Sequence, residues 1–374
     1  MTVWIIAGLL GMATGLRIGW ALVNQQSVVS SAMIVALGSL AIVAALNWPP
    51  LTLLVDTALH WPNISVGLSQ VALVASAAGS CVMITSVAST QSLAATRRLA
   101  VAQYCVAAVI AAASLALFLV GERQPEMAPR EYLARNLGTA NTAMDWLVPL
   151  LYVLLALTLV SWVGLRLSNP SRRGRALLVF TVGIALIVAA TAFAVLRAVG
   201  STHLAGIGTA VTLLLCAMAI VAAGALLPTV EDWIGARREL RLIEPLRREM
   251  ERRHPDLGIG VRPRGPLVFR VAERLSLISD ALYMEGLLAQ QSPAQTSDVP
   301  PEVDPPEQAR AVARWINAGR AAVGEAFPGR SWLSQPPECS DREWILEIAR
   351  QYRALNPAGT SRAERPARTE SASG

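Results

Sequence analysis

The chain has 374 residues, 53% of them apolar, a formal net charge of +6 and a mean hydropathy of +0.46, whereas soluble domains are about 45–50% apolar. All 32 basic residues are arginine, which excludes every mechanism that needs a lysine: the phosphate-gripping lysine of a P-loop, the strand lysine of a protein kinase, and the amine of a pyridoxal or retinal Schiff base. Eleven arginines stand against five acids over residues 1–227 and 21 against 21 beyond, so the positive surplus belongs to the apolar part and reads as basic loops on anionic lipid, not as a nucleic-acid surface.

Crossing a bilayer takes about 20 mostly apolar residues. Seven stretches qualify, over roughly 3–23, 28–46, 64–84, 99–120, 147–165, 176–199 and 207–227. The first begins Met1-Thr2-Val3-Trp4 with no basic residue, and no small-residue cleavage site follows, so it reads as a retained helix and not as a signal peptide. It carries Gly11, Gly15 and Gly19 at four-residue spacing. They share one face and are predicted to be helix-packing residues, either against a neighbour in the same chain or along the seam of a homo-oligomer.

Side follows from the loop arginines. Arg97 and Arg98 lie between spans three and four, Arg166, Arg172, Arg173 and Arg175 between five and six, and a run from Arg237 to Arg253 follows span seven. The loop 121–143 instead balances Glu122, Glu126 and Glu131 with Arg123, Arg130 and Arg135. Seven spans with the N-terminus outside and the C-terminus in the cytoplasm satisfy all of these loops, in a multi-pass protein of the cell membrane.

Charge inside the spans is sparse. Arg17 near the inner end of span one and Arg197 near the outer end of span six are both within snorkelling reach, and no acid sits at a span centre. This pattern argues against a buried carboxylate relay and for a neutral or amphipathic solute. Gln70 and Gln103 read as interhelical hydrogen-bonding groups. Asp56, His60, Asn63, Asp145, Arg197 and His203 all fall on the predicted outer face, where carboxylate, imidazole and guanidinium groups together could hold a small polar ligand. Two distant histidines do not make a metal site. Cys81, Cys105, Cys216 and Cys339 include no CxxC pair. No cofactor is expected.

The tail is predicted to be helical. A short segment, 231–243, follows Pro228, and Pro245 is placed in the first turn of a new helix. Leu240, Ile243, Leu246 and Met250 form a stripe that could lie on lipid or pack on the next helix. That next helix, 267–290, repeats Val271, Leu275, Ile278 and Leu282 at 4-3-4 spacing. Residues 291–306 read as a linker, a third helix runs over 307–327, and a fourth begins at Ser340, where Ser340 and Glu343 form a capping box and Trp344, Ile348, Tyr352 and Leu355 share a face. Residues 357–374 are expected to be disordered. The division is therefore 1–228 membrane domain, 229–290 juxtamembrane helices, linker, and 307–356 C-terminal helices. No Ser–His–Asp context, HExxH or Walker pattern occurs, so no catalytic residue is assigned and the chain reads as a non-enzyme. The tail reads as an interaction module for a cytosolic protein partner.

Several segments resemble a family of seven-helix membrane proteins, transporters by label, that is common in high-GC actinobacteria and carries a C-terminal cytoplasmic domain of unknown function. Val55-Asp56 with Trp61-Pro62-Asn63 is similar to that family's loop before helix three, and Glu131-Tyr132-Leu133-Ala134-Arg135 to its larger outer loop. Ile243-Glu244-Pro245-Leu246 and the run Arg274–Leu282 resemble its cytosolic domain, with Leu277 standing where the family usually has an acid. The resemblance spans roughly residues 1–290. The expected fold is all-α, a polytopic bundle of seven transmembrane helices with a small helical cytosolic domain. Transport of a small solute is the leading functional expectation, which the resemblance implies. The alternative is a receptor that passes an outer signal to the tail.

Overall fold

The computed structural model of the chain describes residues 2–23, 27–89, 92–121, 123–137, 143–199, 207–255, 267–290, 303–318 and 330–356. Among them there are thirteen helices and no strand. The chain divides into two compact units, Met1–Pro228 and Thr229–Gly374. The segment 357–374, most of the 291–306 linker and the end of the predicted 307–327 helix lie outside the described residues.

Seven helices of the first unit are long and apolar enough to cross a membrane: α1 (Thr2–Val23), α2 (Val28–Leu46), α4 (Ile64–Ala88), α5 (Leu93–Val120), α7 (Ala143–Leu167), α8 (Arg172–Val199) and the apolar half of α9 (Ile207–Arg253). Leu22, Val109, Leu155 and Val199 are each at least 70% exposed on the outside of this bundle. Water would not tolerate that much outward apolar surface, and a bilayer requires it. The protein is an integral membrane protein. Two shorter helices interrupt the connections, α3 (Pro49–Leu59) and α6 (Pro129–Asn136), each opening with proline in its first turn, where the missing N–H has no intrahelical partner to lose. Helices extend past the apolar stretches that reveal them. For example, α5 starts at Leu93 and takes in Thr96, Arg97 and Arg98, because polar residues in a terminal turn do not break a helix.

α4 lies at the centre, packed on α2, α5 and α7. Its run Ser76-Ala77-Ala78-Gly79-Ser80 is wholly buried, and small side chains are what allow two membrane helices to approach closely. A Cβ on Gly79 would stand 2.7 Å from the Ala36 backbone nitrogen and 2.9 Å from the Ala32 carbonyl oxygen. The Ser76 hydroxyl donates to the Ala36 carbonyl at 3.0 Å. α8 and α9 meet in the same way: a Cβ on Gly183 would lie 2.8 Å from the Val221 nitrogen. Gly11, Gly15 and Gly19 behave differently. A Cβ at any of them meets nothing within 4 Å, so they touch no other described helix of their own chain. α1 packs on α2 through the opposite face, with Ile6, Leu10 and Ala13 buried.

The second unit contains α9 beyond Pro228, α10 (Leu267–Gln290), α11 (Pro305–Ala318), α12 (Arg330–Leu333) and α13 (Asp341–Leu355). α9 is one 47-residue helix that continues through both Pro228 and Pro245. The break expected at Pro228 and the new helix expected at Pro245 are not found. A proline inside a helix costs about 3 kcal/mol, and packing around Pro245 offsets it. Ile243, Leu246 and Met250 are 0–2% exposed and share a core with Val271, Leu275, Ile278 and Leu282 of α10, Val312 and Ile316 of α11, and Trp344 and Ile348 of α13. The stripe therefore packs on protein, not on lipid. Arginines on the same stretch pair with glutamates of their own helix, Arg247 and Arg248 with Glu244 and Arg252 and Arg253 with Glu249. Glu285 of α10, 4% exposed, holds His254 Nε2 at 2.8 Å. α13 opens with the predicted capping box of Ser340 and Glu343, and Trp344 Nε1 donates to the Leu333 carbonyl at 3.2 Å.

Candidate functional site

The connection between α2 and α4 shows how the sequence builds one end of the bundle. After Trp48, the two prolines Pro49 and Pro50 start α3, which ends at His60 in the left-handed region (φ 54°). Asn63 is left-handed as well (φ 62°) and opens α4. Asp56, 3% exposed, accepts from the Ser65 backbone N–H at 2.8 Å and from the Ser65 hydroxyl at 3.2 Å, so a carboxylate on α3 satisfies the amide-rich start of α4. Asn63, 1% exposed, clamps the α5–α6 connection. Its Nδ2 donates to the Pro125 carbonyl at 3.0 Å and its Oδ1 accepts from Met127 N–H at 3.0 Å. Gln124 and Asn136 exchange side-chain amide bonds of 2.6 and 2.9 Å. Arg123 stacks on Trp61, 4.0 Å from the ring centroid. α6 is thereby fixed across this end of the bundle, with Tyr132 between Phe118 and Trp146 at centroid distances of 6.2 and 6.3 Å.

Beneath α6 lies a cavity of about 180 Å³. Leu133 and Leu137 line it from α6, Val66, Ser69, Gln70 and Leu73 from α4, Trp146 and Leu150 from α7, Thr191, Phe193 and Arg197 from α8, and Ala210, Val211 and Leu214 from α9, with Val43, Leu46 and Asn47 at the end of α2. In each of the five spans the lining residues fall in one half of the apolar stretch. The adjoining layer of Leu40, Ala77, Cys81, Val153, Leu157, Ile187 and Met218 is at most 8% exposed, so packed side chains underlie the cavity.

Most polar groups of the lining are engaged by the fold. Asn47 donates to the Val43 carbonyl at 2.7 Å and Thr191 to the Ile187 carbonyl at 2.8 Å. Gln70 Oε1 accepts from the Ser114 hydroxyl at 3.1 Å. Two donors are left: Gln70 Nε2 and Arg197 Nε are both buried without a protein hydrogen-bond partner. Arg197 is the one ionisable residue among the described lining.

Of the six residues the sequence gathers on this face, Asp56 and Asn63 serve the backbone of α4 and of the α5–α6 connection, and His60 is an exposed helix cap. Arg197 lines the cavity, with its Nε buried among protein atoms. The Asp145 side chain and His203 lie outside the described residues. Sequence reasoning saw Gln70 only as interhelical glue, which its carbonyl is, and did not find the cavity. Its lining comes from five spans and a short helix, and no local pattern joins them. Among the described residues no group of three or more His, Cys, Asp or Glu could hold a metal ion. No protein family, curated protein or solved structure matches the chain.

Proposed function

We propose that the protein is a membrane sensor: a small ligand enters the cavity beneath α6, and the seven-helix bundle relays its presence to the helical tail. On the arginine rule, this end of the bundle faces outside and the tail faces the cytoplasm. One observation carries the reading. The cavity occupies one end of the bundle only, and a buried layer of side chains underlies it. Secondary transporters instead hold their substrate near the midplane, between interrupted helices. α9 also contributes residues to both units, Val211 and Leu214 to the cavity and Ile243, Leu246 and Met250 to the tail core.

The test is reconstitution of the full chain, and of a version ending at Leu227, in liposomes loaded with a panel of small neutral and anionic solutes, with amide exchange of residues 236–282 followed in the full chain. A sensor gives no flux from either version, and a ligand that changes tail protection. Saturable flux that survives removal of the tail makes the protein a transporter and overturns the reading.

A further inference from the structure

We infer that the cavity is selective for a small monoanion with a compact apolar body, of which a monocarboxylic acid is the simplest form. The inference rests on the cavity being a ligand site and names the class of ligand. Gln70 Oε1 already accepts from Ser114, and Thr191 and Asn47 spend donors on backbone carbonyls of their own helix, while the buried lining atoms without a protein partner are both donors, Gln70 Nε2 and Arg197 Nε. A buried donor without an acceptor is costly, more so when charged, and a guanidinium recognises planar oxyanions best. No described acid lines the cavity to compensate Arg197, so a single negative charge on the ligand neutralises the site and a cation is repelled.

Size and surroundings set the rest of the ligand. Trp146, Phe193, Leu73, Leu133 and Leu150 line the same cavity with apolar surface. An apolar cavity of about 150 Å³ admits benzene, so about 180 Å³ takes one aromatic ring or a short branched chain beside the anionic head. A free acid from solution and the phosphate head of an anionic lipid share the anionic chemistry. The volume favours the free acid.

The experiment is equilibrium dialysis of the full chain in phosphatidylcholine nanodiscs at neutral pH against benzoate, benzyl alcohol and benzylamine, with empty nanodiscs subtracted. Benzoate is expected to saturate one site at least tenfold more tightly than the alcohol, with benzylamine weakest. Arg197→Gln, checked by thermal unfolding to be folded, is expected to bring benzoate and benzyl alcohol within twofold of each other, and Gln70→Leu to weaken benzoate alone. Equal affinity for the three probes, or an undiminished benzoate preference in Arg197→Gln, overturns the inference while leaving the cavity a ligand site. No binding of any probe removes the site, and the sensor reading with it. Should Arg197→Gln fail to fold, the three-probe comparison on the unmodified chain decides. A further arm adds phosphatidylglycerol to the nanodiscs: loss of benzoate binding assigns the anion site to lipid, and retention assigns it to soluble acids.

Discussion

Asp56 shows how a residue read as a ligand-binding candidate can belong to the scaffold. Its two oxygens reach the Ser65 N–H and hydroxyl at the start of the central helix. Asp56→Ala leaves a buried amide without an acceptor, and the expected loss is about 1–3 kcal/mol, read as a lower unfolding temperature of the purified protein in detergent. Asp56→Asn keeps an acceptor and is expected to lose less. In the tail, partial burial pushes the Glu244 carboxyl up, but hydrogen bonding and charge from Arg247, a hydrogen bond from Arg248 and the charge of Arg274 outweigh it and hold Glu244 below the ordinary carboxylate range. Glu249 is lowered in the same way, with burial opposed by Arg252 and Arg253. A carboxyl depressed in the folded state contributes stability above its unfolded value and loses it as pH falls through the folded one. The tail is therefore expected to loosen as pH drops below about 4, measured by amide exchange of α9 and α10, and Glu244→Gln is expected to flatten that dependence. The run from Arg237 to Arg253 is visible in the sequence, but not that Arg274 of α10 would join Glu244 at 3.0 Å.

At the scale of elements, two patterns that look alike in sequence have opposite consequences. Gly11, Gly15 and Gly19 have the spacing of a packing face, yet a Cβ on any of them meets no described atom within 4 Å, while Gly79 faces the α2 backbone at 2.7 Å. Gly79→Ala is expected to destabilise the bundle by about 1–3 kcal/mol, as overpacking does, and Gly15→Ala to leave the unfolding temperature of the isolated chain unchanged. Equal effects of the two would show that α1 and α4 do not pack as described. Spacing places glycines on a face of a helix, but the partner across that face comes from another part of the chain. Pro245 carries the same lesson. A proline after Glu244 is suited to a first turn, and the first-turn reading was reasonable locally. Burial of Ile243, Leu246 and Met250 on three other helices makes it an interior position of α9 instead. Pro245→Ala is accordingly expected to raise the unfolding temperature of the tail, since it restores a helix hydrogen bond. A first-turn proline would give no gain.

For the molecule as a whole, the expected topology is an odd number of crossings. Reporter fusions should place Met1 outside and Gly374 in the cytoplasm; both on one side would overturn the odd number of crossings, and exchanged sides would reverse the assignment of the cavity to the outer face. The number of spans, the all-helical architecture and the apolar faces of α10 and α13 were legible from sequence. So was the Ser340–Glu343 capping box. Each depends on residues within one or a few turns of one another, where hydrophobic run length, 3.6-residue periodicity and cap chemistry act locally. Tertiary structure alone decided that Arg197 and Gln70 share a cavity and that Asp56 caps α4. It alone decided that Gly79 and Gly183, and not Gly11, Gly15 and Gly19, face another helix closely, and that α9 continues through Pro245. These outcomes depend on which distant side chains fill or leave the space beside a group, and in packed interiors that is set by the arrangement of whole helices.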